Sequence, residues 1–244
     1  MLLPLNLMQT IALYPKYSIS NNVITPNSAI SNVLSLCATM AATVTHFYEG
    51  FKLCYDADVV FKYIASNIQY FASFFDIFLT CIGFIFYFFI CIFHSKNNVL
   101  FVLTFQKIHR FLNDEKISKR FICWNWITMA VVFIFDIVVL TYFNLRLHLP
   151  LYTFVCCLFA ITFDVSIYYA LRLMKLLSDT IKVWNMEAQN LVRLRHSNIN
   201  QPNCQKMFKA YSQILECYNL FERSFQQIVC ILMFYFFVLE PSLL

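Results

Sequence analysis

The block Phe74–Phe93 runs for twenty residues with a single charge, Asp76, and contains the unbroken apolar string GFIFYFFICIF. About 20 apolar residues in a helix span the hydrocarbon core of a bilayer. Three further runs meet the same length. Ala29–Tyr48 is uncharged but polar at Ser35, Thr39, Thr43 and Thr45; Phe121–Phe143 and Leu151–Leu171 are the third and fourth. A fifth run, Phe225–Leu239, is shorter and meets Glu240 and Pro241. Lipid leaves no partner for a lone backbone amide, so spanning segments must be helices or closed barrels. Barrel strands alternate in polarity, and these runs do not. The sequence therefore predicts an all-α fold: a polytopic transmembrane helix bundle of about five membrane helices with long cytosolic helical extensions.

Composition excludes most alternatives. Hydrophobic residues reach 60% and charged ones 13%, so the chain has more apolar surface than a soluble domain of this size can bury. Only two glycines are present, Gly50 and Gly83. That rules out glycine-rich phosphate and dinucleotide loops, the nucleophile elbow and a Gly-x-x-x-Gly packing face. Ten cysteines form no C-x-x-C pair. His46, His94, His109, His148 and His196 are scattered without ligand spacing. No metal, cofactor, catalytic constellation or nucleic-acid partner is expected.

Orientation follows from Lys and Arg, which favour the cytosolic side. Lys16, the cations between the second and third spans, and those after the fourth total fifteen of the eighteen. Only Lys52, Lys62 and Arg146 fall on the other side. The N-terminus is thus expected in the cytosol, with Glu49, Asp56 and Asp58 outside. The seven-residue link 144–150 makes the third and fourth spans antiparallel neighbours.

Beyond the fourth span, Leu173, Leu176, Leu177, Ile181, Trp184, Ala188 and Leu191 share one helical face. After Pro202, Phe208, Tyr211, Leu215, Tyr218, Phe221 and Phe225 repeat the pattern into the fifth run. This predicts a cytosolic helical hairpin with two apolar faces; a helix lying on the membrane surface is the alternative. Trp184, Leu191, Tyr211 and Leu215 are the expected subunit contacts. The expected organisation is a cytosolic N-terminal segment at 1–28, spans one to four within 29–171, the hairpin at 172–224, and the fifth span at 225–244.

Three carboxylates, Asp76, Asp136 and Asp164, lie inside spans, where a charge is costly and normally faces the bundle interior. The topology places Asp76 and Asp136 in the outer half and Asp164 nearer the cytosol. With Tyr70, Phe74, Tyr142 and Tyr152 at similar depth, Asp76 and Asp136 form a candidate ligand pocket: an aromatic wall with polar anchors. Interhelical hydrogen bonding or protonation is the other reading of the same carboxylates. Intramembrane proteolysis by paired aspartates relies on a Gly-x-Gly-Asp context that is absent here.

Four segments carry a resemblance. They are KYSISNNVITPNSAISNVLSL before the first span; HSKNNVLFVLTFQKIHRFL after the second; YYALRLMKLLSDTIKVWNMEAQNLVRL extending the fourth; and KAYSQILECYNLFERSFQQIVCILMFYFFV entering the fifth. In order and spacing the chain resembles the insect gustatory receptors, seven-helix chemosensory proteins with a cytosolic N-terminus. The resemblance implies a multi-pass cell-membrane protein, a small-molecule tastant as ligand, and a role as subunit of a homo- or hetero-oligomeric, tetrameric ligand-gated cation channel. It extends over the first five of the family's seven helices. The family's closing Thr-Tyr, five apolar residues, Gln-Phe signature is not found; Thr141-Tyr142 is followed by other residues. The expectation is a truncated member that does not conduct alone. A polytopic membrane enzyme or transporter using the intramembrane aspartates is the alternative.

Overall fold

The computed structural model of the protein describes residues 2–20, 23–55, 67–112, 115–148, 150–194 and 201–239. Its elements are α1 (Leu3–Ile11), a two-stranded antiparallel hairpin of β1 (Ser18–Ser20) and β2 (Val23–Thr25), α2 (Ala29–Tyr55), α3 (Asn67–Phe93), α4 (Ser95–Leu112), α5 (Glu115–Leu147), α6 (Leu151–Leu194) and α7 (Gln201–Leu239). The helical bundle is as the apolar runs predict; the small β hairpin is an addition. Four helices, α2, α3, α5 and α6, have the length and hydropathy to cross a membrane. The expected fifth span is the C-terminal part of α7, whose side chains beyond Gln226 lie outside the described residues. So do Asp56, Asp58 and residues 240–244.

Local chemistry sets the breaks. Ser28 caps α2, its Oγ accepting the Ser31 amide at 3.2 Å. α5 ends where His148 turns left-handed (φ 49), and Pro150 stands immediately before α6. This tight turn lays α5 antiparallel against α6. α6 then runs 44 residues with neither Gly nor Pro, joining the expected fourth span and hairpin arm in one helix.

α2 lies along α3 and also touches α6. α7 packs on α4, α6 and α3. Gly83 makes room on α3 for the Phe163 ring of α6, because a Cβ there would stand 3.2 Å from Phe163 Cζ. Among the described residues, α5 packs only on α6 and α1, and its backbone does not approach α3.

A buried core lies where α4, the second half of α6 and the first half of α7 meet. Val102, Phe105 and Ile108 pack there with Leu173, Leu176, Leu177, Ile214, Cys217 and Leu220, all buried. The other end of the bundle is held by aromatic contacts, such as Phe84 on Phe163 with centroids 4.7 Å apart. α5 contrasts with both: Ile134, Phe135 and Val138 are each about 60% exposed, 62%, 63% and 59%.

Candidate functional site

The six residues expected to form a ligand pocket lie on three helices, and the fold does not draw all of them together. Phe74 on α3 and Tyr142 on α5 are exposed; Asp76, Asp136 and Tyr152 are half-buried; the Tyr70 side chain lies outside the described residues. α3 and α5 are not neighbours, so the helices of Asp76 and Asp136 do not share an interface. The acidic group near Asp136 is instead Asp164, placed elsewhere by the sequence reading, and the two carboxyls are close enough to repel. The turn at His148 explains it, because antiparallel pairing sets the two positions within about two residues, roughly 3 Å, of the same height.

What lines α6 at this end is α2. Tyr48 meets Tyr152 edge-to-face at 5.4 Å. Glu49, expected in the outer loop, is still within α2 and interacts with the Cys156 thiol of α6. Gly50 permits a close approach of α2 to α3, since a Cβ there would stand 3.3 Å from Ile77 Cγ2. The cluster at this end of the bundle is therefore Tyr48, Glu49, Tyr152 and Cys156, with Ile77 and its sequence neighbour Asp76 on the α3 side. The usable signal for Glu49 was the lack of any proline between Tyr48 and Tyr55.

A second polar cluster sits deeper, where the N-terminal segment docks. Residues 1–28 were expected only as a cytosolic stretch; from Leu2 to Tyr17 the segment instead supplies buried core side chains. Gln9, fully buried, donates through Nε2 to the Val165 carbonyl (3.4 Å) and accepts from the Tyr87 hydroxyl (3.1 Å). Tyr87 also bonds Ser166 Oγ, which donates to the Thr162 carbonyl. Lys16 is 2% exposed; its Nζ lies 3.2 Å from Cys91 Sγ and 4.5 Å above the Tyr87 ring, a cation–π contact. Tyr14 pairs its hydroxyl with Thr39 Oγ1 at 2.8 Å, and burial pushes that hydroxyl up to about 12. Burial raises the Tyr17 hydroxyl further. Buried polar groups are tolerable when they find partners like these. No local sequence pattern reveals the cluster, because its long-range partners lie from 25 to 156 residues apart.

In the hairpin, Trp184 donates from its indole to the Met207 carbonyl at 3.0 Å and packs on Tyr211 at 5.1 Å. Two of the four expected subunit contacts thus meet within one chain. Leu191 is half-buried, and Leu215 is exposed along with Phe208 and Tyr218. Those three, with the outer part of Tyr211, leave an apolar stripe on α7.

Against known proteins, no family model, no curated protein and no solved structure matches the chain.

Proposed function

We propose that the chain is a chemosensory membrane protein of the insect gustatory receptor type, responding to a small-molecule tastant as a subunit of a ligand-gated cation channel. The observation that supports this most is the order of helices beneath the four resembling segments. A docked N-terminal segment precedes three helices of spanning length, then one of 44 residues that outruns a bilayer, then a returning helix. The N-terminus and the basic connections lie in the cytosol on this reading. The outer cluster of Tyr48, Glu49, Asp76 and Tyr152 is the ligand end: aromatic faces give contact area and a carboxylate orients a hydroxyl-bearing or cationic molecule. Subunits meet through the exposed stripe of Phe208, Leu215 and Tyr218.

The gene beyond the codon for Leu244 tests the family. Two more apolar segments ending in Thr-Tyr, five apolar residues and Gln-Phe support it; an unrelated continuation sinks it. The pocket is tested on the full gene product by tastant-evoked cation influx. Glu49→Gln or Asp76→Asn is expected to cost roughly tenfold in potency, the worth of one charge-assisted hydrogen bond. Wild-type potency in both, at normal surface expression, removes the pocket assignment.

The nearness of Asp136 and Asp164 favours a second reading, a transporter with a carboxylate pair at membrane depth. Proton-coupled uptake into proteoliposomes that is lost in Asp136→Asn distinguishes it from the first.

A further inference from the structure

A cleft of about 390 Å³ opens between the start of α5 and the middle of α6. Arg120, Phe121 and Trp124 line it from α5; Arg172, Lys175, Asp179 and Lys182 line it from α6. These cations stand where the apolar stretches begin and end: Arg120 immediately precedes the run 121–143, and Arg172 immediately follows the run 151–171. With those runs in a bilayer, the cleft lies at the level of the lipid headgroups, and half-exposed Trp124 lies one turn inside that level.

Its interior is organised rather than merely charged. Arg172 donates from Nε to Asn125 Oδ1 at 2.9 Å, and its guanidinium lies 5.4 Å over the Phe121 ring. Asn125 is fully buried and its Nδ2 has no hydrogen-bond partner. Arg172 is thereby held in place, with its remaining donors at the cleft it lines. Asp179 steadies Lys175 (3.1 Å) and Lys182 (3.7 Å) from the same helix. It neutralises only one of the four cations, so the cleft keeps a positive excess.

We propose that this cleft binds the headgroup of an anionic phospholipid. Arg172 takes the phosphate through its planar donors, Lys175, Lys182 and Arg120 supply the surrounding positive charge, and Trp124 packs on the glycerol and upper acyl chain. A membrane lipid fits better than a soluble anion because one wall, formed by Phe121 and Trp124, is apolar and belongs to the stretch that would face the bilayer. The inference needs α5 and α6 to be in a membrane; it does not depend on the chemosensory reading.

The full chain is reconstituted into phosphatidylcholine nanodiscs containing a small fraction of dibrominated lipid. Trp126→Phe and Trp184→Phe leave Trp124 as the single tryptophan, excited selectively over tyrosine. Dibrominated phosphatidylserine is expected to quench Trp124 well beyond dibrominated phosphatidylcholine, with apparent affinity falling about tenfold in Lys175→Gln/Lys182→Gln. Both lysines are exposed, so this variant keeps the fold. Native mass spectrometry of the unsubstituted chain, counting retained phosphatidylserine with and without the lysine changes, makes the result independent of the tryptophan replacements. Equal quenching by the two lipids, or no loss in the lysine variant, overturns the proposal. Reversal of the quenching by inorganic phosphate or glycerophosphoserine also overturns it, by showing that a soluble anion suffices.

Discussion

The three-helix core and α5 carry similar side chains to opposite ends. In the core, Ile108 of α4, Leu176 of α6 and Cys217 of α7 have essentially no exposed surface. On α5, the equally apolar Ile134, Phe135 and Val138 are mostly bare. The driving force accounts for the difference. Water expels apolar surface and forces helices to close over it. Lipid tails are as apolar as Leu, so a helix among them gains little by hiding its side chains and is held by close packing and polar contacts instead. The core is packed as water would drive it, and the bare apolar face of α5 is of the kind that lipid tolerates.

Thiol chemistry sharpens the core side of this contrast. Burial, with the nearby Glu216 carboxylate, pushes the Cys217 thiol from its ordinary 9.0 up to about 12, whereas Cys204 on the same helix is exposed. Near pH 8 the thiolate fraction of Cys217 is depressed about a thousandfold. A membrane-permeant maleimide followed by peptide mass spectrometry should modify Cys204 and spare Cys217. Comparable rates would mean that the core opens readily.

Truncation compares the two regions directly. Leu176→Ala should lower unfolding stability in detergent by about 2–5 kcal/mol, through lost contacts and a cavity. Ile134→Ala on α5 should fall within about 0.5 kcal/mol of wild type. Equal losses would mean that α5 is covered, by another subunit or by a helix beyond the described residues.

Between these extremes lies the docked N-terminal segment, where polar bonds carry more of the packing. Gln9→Leu removes a second partner from the Val165 carbonyl, which keeps its bond within α6, and one of the two partners of Tyr87, an expected cost of about 0.5–1.5 kcal/mol per bond in the same assay. A pH dependence probes the same segment. Tyr14 is raised in the folded state, from 10.0 to about 12, so its stabilising contribution is whole below about pH 10 and is lost as pH climbs toward 12. Tyr14→Phe should flatten that part of the unfolding-midpoint profile.

Much of the scaffold could be read from residue order alone. Ala29 and Leu151 open helices where expected, and the short link does lay α5 against α6, although α5 takes in 144–147 of the 144–150 expected for it. Leu173, Leu176 and Leu177 are buried as their spacing implied, though Ile181 on the same face is exposed. Periodicity reports which face of a helix is apolar; it does not report which helix comes to lie there. That is why α2, rather than α3 with α5, supplies the neighbours of Tyr152, and why Asp136 finds Asp164. Lys16 and Gln9 were illegible for a different reason. A polar residue is buried only when distant partners satisfy it, and those partners lie on helices read separately.

The unbroken length of α6 has a mechanical consequence. At about 1.5 Å per residue, its 44 residues make a rod of about 66 Å, twice the thickness of a bilayer's hydrocarbon. With no Gly or Pro to act as a joint, the rod moves as one lever. A tilt of about 5° at the end bearing Tyr152 sweeps the opposite tip, beyond Trp184, through about 6 Å. The cluster at one end and the hairpin at the other thus share one continuous helix.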